Sequence, residues 1–277
     1  MAQKKHGLWN TIIPGLALNV GHQKPPAAGS GDLLVNLVAY WDFDEASGTR
    51  ADSHASFDFS DHNTVGASAT GGPDSGQCAD FNHIATEYFT QADSASFTPS
   101  SDMAAAGWVY IDDDTAGSIR YFLTHWGYGT GANAQRCFQI SYNVDSDIFQ
   151  TYFSKTGSSP YCNPQATTFQ ASPGFALNTW YFVYTDYDSS AGVGRICINN
   201  GTKDSDTVTA GTLFNAGVTL LFGEINDDSQ IPEEDQTQNM AGRASYWGFW
   251  HRLLTDDEIT FLYNSGAGRN YAAVAAY

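Results

Sequence analysis

SYWGFWHRLLTDDEITFLYNSG, residues 245–266, is the stretch on which the fold turns. Tyr246, Trp247, Phe249, Trp250 and His251 fall within seven residues and occupy both parities of a strand. Alternate side chains of a strand point to opposite faces, so both faces here need a cover. A helix-start signal follows at once. Thr255 is placed as an N-cap, and Glu258 three residues on completes a capping box. Leu254 and Ile259 are spaced as a hydrophobic staple, and Asp256 and Asp257 suit the positive end of the helix dipole. Ile259, Leu262 and Tyr263 share a face, with Gly266 placed to close the helix. The spacing predicts one amphipathic helix of about three turns lying on a β-sandwich. One face of the preceding strand meets the core. The other is covered by that helix or by the N-terminal segment.

Upstream, short apolar runs follow one another between turn-rich segments. They are LLVNLVAYWDF (33–43), GQCADFN (76–82), EYF (87–89), MAAAGWVYID (103–112), SIRYFLTHW (118–126), RCFQISYN (136–143) and DIFQTYF (147–153). TWYFVYTDYD (179–188), VGRICIN (193–199) and VTLLFGEI (218–225) complete the set. Many short strands without βαβ alternation point to an antiparallel sandwich. Of the 277 residues, 42% are hydrophobic and 14% aromatic, enough for a sizeable core.

The charge is uneven. Residues 1–31 hold Lys4, Lys5 and Lys24 and no acid, so they carry +3. Nine basic and 30 acidic residues remain, a net of −21, for −18 overall. That balance argues against a nucleic-acid partner, because phosphate contacts need Lys and Arg. QKPPAAGSG (23–31) reads as a Pro/Gly linker. The division expected is an arm and linker over 1–31 and a sandwich over 32–277. Within the arm, Trp9, Ile12, Ile13 and Leu16 are the apolar residues that would dock on an acidic surface. Trp9, Asn10, Thr11 and Pro14 interrupt any signal-peptide core after Lys4-Lys5, and no stretch is long enough to insert in a membrane. Cys78, Cys137, Cys162 and Cys197 show no CxxC spacing. Cys137 and Cys162 are compatible with a bridge or with two free thiols.

The order of landmarks resembles the laminin-G-like, concanavalin A-like jelly roll of lectins and glucanases. LVAYWDFDEASGT (37–49) is similar to that family's opening strand and turn, and AAAGWVYI (104–111) to its first long core strand. NTWYFVYTDYD with GVGRICINNGTK (178–203) resembles the central hairpin, and residues 239–266 the closing strand and helix. The resemblance covers roughly residues 33–268. It implies an all-β antiparallel jelly-roll sandwich with a short C-terminal helix. Ala244–Trp247 stand where the family usually carries an Asp-Glu pair, and the arm has no counterpart.

Some members of that fold cleave glycosides, and retaining chemistry needs two carboxyls about 5–5.5 Å apart. The nearest pairs are Glu224 with Asp227 and Asp42 with Asp44. Neither has the expected form, GxSxG is absent, and the seven histidines show no HExxH or HxH pairing. The chain is therefore expected not to be an enzyme. Clustered loop acids suit Ca²⁺, which takes about six to eight oxygens. Asp112, Asp113, Asp114, Asp227 and Asp228 are the candidates, against the alternative of solvated turn acids. Carbohydrate binding uses exposed aromatics beside amides. HWGYGTG (125–131) offers Trp126 and Tyr128, and SSPYCNP (158–164) offers Tyr161 and Asn163.

These readings, with the resemblance, lead to the expectation of a non-enzymatic structural or attachment protein of an assembled particle. A tailed-bacteriophage virion component (head fibre, decoration or tail-associated) is the specific form. Its arm would bind other virion proteins or a second copy of itself. Its sandwich would face outward at the virion surface, with host-surface polysaccharide as candidate ligand. The alternatives are a secreted or cell-surface carbohydrate-binding or adhesion module, which would be extracellular, and a glycoside hydrolase.

Overall fold

The computed structural model describes residues 32–114, 119–129, 134–227, 232 and 237–277. The arm residues Trp9, Ile12, Ile13 and Leu16, and Asp228, lie outside the described residues. Two antiparallel sheets face each other. In chain order the strands are β1 (Leu37–Trp41), β2 (Ser60–His62), β3 (Gly66–Ser68), β4 (Cys78–Phe81), β5 (Tyr88–Gln91), β6 (Met103–Ile111) and β7 (Ile119–Gly127). Then come β8 (Gln135–Asn143), β9 (Ile148–Phe153), β10 (Thr179–Asp188), β11 (Val193–Ile198), β12 (Asp204–Thr207), β13 (Leu220–Phe222) and β14 (Gly242–Trp250). The larger sheet runs β12-β11-β10-β6-β14-β4-β3, and β1 also pairs with β14. The smaller runs β2-β5-β13-β7-β8-β9. Among the described residues the α-helices are short: α1 (Thr167–Ala171), α2 (Asp256–Tyr263) and α3 (Tyr271–Val274).

The aromatic run at 245–251 is resolved by this layering. Ala244, Trp247 and Phe249 of β14 enter the core between the sheets, beside Ala39, Trp41, Val109, Phe122 and Phe222. Tyr246 and Trp250 join a second core on the outer face of the larger sheet, with Tyr40, Ala106, Trp108, Phe182, Leu254, Ile259, Leu262 and Val274. The cover is thus α2 with the C-terminal segment through α3. Ala244 and Trp247 differ in parity yet face the same way, because the β6–β14 register shifts between Ser245 and Gly248. Tyr246 takes up the extra residue with φ +55°, which is how a bulge re-aims the side chains beyond it. The indole of Trp247 then lies against Gly107 of β6, where a Cβ would stand 2.2 Å from Cδ2 and 2.3 Å from Cγ of the ring.

Helix α2 begins as its sequence requires. Thr255 Oγ1 accepts from the Glu258 N–H at 3.3 Å, and the Thr255 N–H donates to Glu258 Oε2 at 2.8 Å. The helix is shorter than three turns, because Asn264, not Gly266, takes the left-handed cap at φ +47°. An Asn tolerates that conformation and so competes with a glycine two residues on. The four cysteines are buried and free, so Cys137 and Cys162 form no bridge. Cys162 Sγ accepts from the Gly194 N–H at 3.2 Å, and burial pushes its thiol up to about 11. Among the described residues no helix is long and apolar enough to cross a membrane.

Candidate ligand-binding face

The inner face of the smaller sheet is apolar, built from Phe89, Phe122, Phe138, Ile140, Phe149 and Phe222. Its outer face is not. There cross-strand pairing lines up Tyr121 with Ser141 and Gln150, Gln139 with Tyr152, and Trp126 with Arg136 on β7, β8 and β9. Two register shifts shape this side of the β7–β8 pairing. The one between Tyr121 and Thr124 gives β7 an extra residue and keeps Tyr121 and Trp126 on one side despite their odd spacing. The one between His125 and Trp126 gives β8 an extra residue and brings Arg136 opposite Trp126. Trp126 is the direct cross-strand partner of Arg136.

Both loop candidates meet there. Residues 224–227 run beside the end of β7. The Asn226 N–H donates to Trp126 O at 3.3 Å, the Tyr128 N–H donates to Asn226 O at 3.3 Å, and Ile225 closes the apolar floor. The 158–164 loop is stitched to β9 by Phe153 and Cys162, which exchange hydrogen bonds of 2.8 and 3.0 Å. That places the Tyr161 ring 5.2 Å from Trp126 and 6.0 Å from Tyr152. Tyr128 donates to or accepts from the Tyr121 hydroxyl. The Arg136 guanidinium lies 5.8, 6.0 and 5.6 Å from the ring centroids of Trp126, Tyr128 and Tyr161. It donates to the Tyr161 hydroxyl and, at 2.6 Å, to Tyr128 O.

Of the four residues expected from the sequence, Trp126, Tyr128 and Tyr161 therefore converge on one cation. Trp126 is only 3% exposed, while Tyr128, Tyr161 and Arg136 are half-buried. Asn163 buttresses the loop instead: its Nδ2 donates to Thr151 O at 3.0 Å, and its Oδ1 accepts from Gln165 at 3.1 Å. Arg136 itself is not singled out by any motif. Its signal is a lone cation in an apolar strand of an acidic chain.

Arg195, Arg243 and Arg252 pair with Asp186, Asp80 and Glu258 at 2.8, 3.3 and 2.7 Å. Arg136 has no carboxylate partner among the described residues. Several polar atoms of this face are buried and find no hydrogen-bond partner among the described residues: Trp126 Nε1, Arg136 Nε, Gln139 Oε1, Ser141 Oγ and Asn226 Oδ1. Buried polar atoms are ordinarily satisfied, so a group of orphans on one face marks a place where other polar atoms belong.

The acids divide differently. Asp112 is raised above the ordinary carboxylate range by burial, and Asp113 sits 3.7 Å from His83. Among the described residues no three His, Cys, Asp or Glu side chains assemble to hold a metal ion. Asp42 is held by the Tyr271 N–H at 2.8 Å and the Ser53 hydroxyl at 3.1 Å. Glu224 is fully buried, and its Oε1 accepts from the next residue's N–H at 2.8 Å.

Burial pushes Asp42 up to about 6 from an ordinary value of 3.8, with Asp44 and Glu45 adding to it. A carboxyl raised by folding gives stability that is complete below its unfolded pKa and lost as pH rises through the folded value. Asp42→Asn keeps the acceptor for Tyr271 and offers an amide to Ser53. It is expected to be more stable than the parent at pH 7 by on the order of 2 kcal/mol, and equal to it near pH 3. Denaturant melts at the two pH values check this.

No family model matches the chain, and no curated protein matches it. Solved structures do. The binding domain of Paraclostridial Mosquitocidal Protein 1 superposes with a TM-score of 0.57 at 15% identity, covering 84% of this chain and 53% of that one. The receptor-binding domain of botulinum neurotoxin mosaic serotype C/D gives 0.56 at 10% identity, over 84% and 51%. Domain 4 of AbnA, an arabinanase of Geobacillus stearothermophilus solved with arabinotriose, gives 0.55 at 16%, over 81% and 97%. The chain thus spans about half the length of the two toxin domains and nearly all of Domain 4. At these identities the likeness is one of fold: an antiparallel β-sandwich.

Proposed function

We propose that this protein is a non-enzymatic attachment module of the laminin-G-like, concanavalin A-like kind. Its sandwich binds glycans of a host surface through the outer face of β7, β8 and β9. The observation that carries this is the convergence of two sequence-distant aromatic loops on Arg136, beside buried polar atoms that lack partners. Rings framed by amides and hydroxyls suit a sugar, whose apolar face stacks while its hydroxyls exchange hydrogen bonds. That solved binding domains share the fold supports the reading.

The particle is the finer part of the proposal. The basic 1–31 segment anchors the acidic sandwich to other virion proteins or to its own copies, on a tailed-phage virion surface. The charge asymmetry and the Pro/Gly linker support this. Light scattering on the full chain and on residues 32–277 tests it. An oligomer from the former and a folded monomer from the latter are expected. Two monomers would leave the secreted or cell-surface adhesion module. The reading needs neither catalysis nor calcium. No reducing sugar should appear from any polysaccharide the protein binds, and EDTA should leave its melting temperature unchanged. Release of reducing ends would return Glu224 and Asp227 to consideration. A calcium-dependent rise in melting temperature would do the same for Asp112–Asp114.

A further inference from the structure

The polar atoms of this face narrow the ligand class, on the reading that the face binds glycans. Trp126 and Arg136 are directly paired across β7 and β8. Trp126 Nε1–H and Arg136 Nε–H are both buried donors without an acceptor among the described residues. Two donors on adjacent strands ask for an acceptor from outside. The charge on one of them says which kind. The chain has 30 acidic and 12 basic residues, yet Arg136 has no carboxylate partner among the described residues. One of its N–H groups is spent on the neutral hydroxyl of Tyr161. A carboxylate is a much stronger acceptor for guanidinium than a phenol is.

We infer that the face selects carboxylate-bearing sugars, with the acid group seated on Arg136 and Trp126. The Tyr161 hydroxyl holds the place of that group and yields it on binding. Tyr161 is half-buried, on a loop outside the strands, and can swing from Trp126 without breaking the β9 pairing that runs through Cys162. The rings of Tyr128 and Tyr152 remain as walls for the sugar. The negative charge of the body opposes an acidic ligand only weakly, because exposed charges beyond about 8 Å are screened at physiological salt.

The test is a calorimetric titration of the full chain with glucuronic and galacturonic acids, each against its neutral hexose. Within each pair the two sugars differ at one carbon. The acid is expected to bind at least about tenfold more tightly, the worth of one charge-assisted hydrogen bond. The preference should shrink in Arg136→Gln. It should shrink also in Trp126→Phe, which keeps a ring and removes the N–H. Should either variant fail to fold by circular dichroism, the acid-to-neutral ratio of the parent protein still decides. Equal affinity for acid and neutral sugar overturns the inference and leaves the glycan reading standing. An acid preference that survives Arg136→Gln overturns it too, since the carboxylate then sits elsewhere. Binding of neither member of either pair counts against both.

Discussion

A Gly107→Ala variant is expected to lose about 3 kcal/mol of folding stability, at the upper end of the cost of overpacking a core. The reason is local. Gly107 lies at the middle of β6, and the Trp247 indole rests on it, with Cδ2, Cγ and Cε2 nearest to the missing side chain. The indole has no room to withdraw. Its Nε1–H is tied to Trp108 O at 3.1 Å, and Phe122 and Phe222 pack against its rings at 6.5 and 5.2 Å. Urea melts of the single variant and of Gly107→Ala with Trp247→Leu check this. The double variant should cost less than the sum of the two singles, because the smaller side chain frees the space that the methyl needs. Strict additivity would mean that the two residues do not meet.

The second large effect lies at α2. Glu258 is 1% exposed. It accepts from Arg252 Nη2 at 2.7 Å and Nη1 at 2.8 Å, as well as from the Thr255 N–H. Arg252 in turn donates to Val35 O at 2.8 Å and Asp32 O at 3.1 Å. The pair therefore binds the helix start to the turn that precedes β1. Burial opposes the charge on Glu258, but the Arg252 and Thr255 hydrogen bonds outweigh it and hold the pKa below the ordinary glutamate value. A lowered carboxyl pKa contributes stability above its unfolded value, and that contribution is lost as pH falls through the folded one. Glu258→Ala removes the capping acceptor and strands a largely buried guanidinium. It should cost on the order of 3 kcal/mol at pH 7. Glu258→Gln keeps an acceptor for Thr255 and should cost less. The gap between parent and Glu258→Ala should narrow in melts below pH 4. A gap independent of pH would remove the ion pair from the account.

Much of the larger sheet is legible in the sequence. The apolar runs at 103–112, 179–188 and 193–199 become β6, β10 and β11, because buried strands cannot avoid writing their apolar pattern. The capping box at Thr255 and Glu258 is local chemistry, and it is found as written. The sequence pattern does not disclose β2, β3 and β12. Their residues are SDH, GAS and DSDT, short edge strands whose polar side chains carry no alternation. Nor does it disclose α1 or α3, which are shorter than a periodic signal needs. The bulge at Tyr246 is invisible too, since nothing in a tyrosine announces a positive φ.

The candidate face is half legible for a related reason. Trp126, Tyr128 and Tyr161 stand out as aromatics among glycines and prolines, and turn chemistry can be read locally. Their meeting depends on one register shift in β7 and one in β8, and on the pairing of Cys162 with Phe153, which are properties of the folded sheet. Arg136 is silent in the sequence. What sets it apart from Arg195, Arg243 and Arg252 is three-dimensional: among the described residues no carboxylate stands beside it, and three aromatic rings do.

Ligand contact with this face is reported separately by the indole N–H groups. Those of Trp41, Trp180, Trp247 and Trp250 donate to backbone carbonyls at 2.7, 2.9, 3.1 and 2.8 Å, whereas those of Trp126 and, on the opposite sheet under α2, Trp108 have no acceptor among the described residues. In ¹H–¹⁵N spectra of the full chain titrated with glucuronic acid, the Trp126 indole signal should move downfield as it gains an acceptor. The signals of Trp41, Trp247 and Trp250 should stay in place. A saturable shift of one of those signals, with Trp126 unmoved, would place binding elsewhere on the protein and contradict the account.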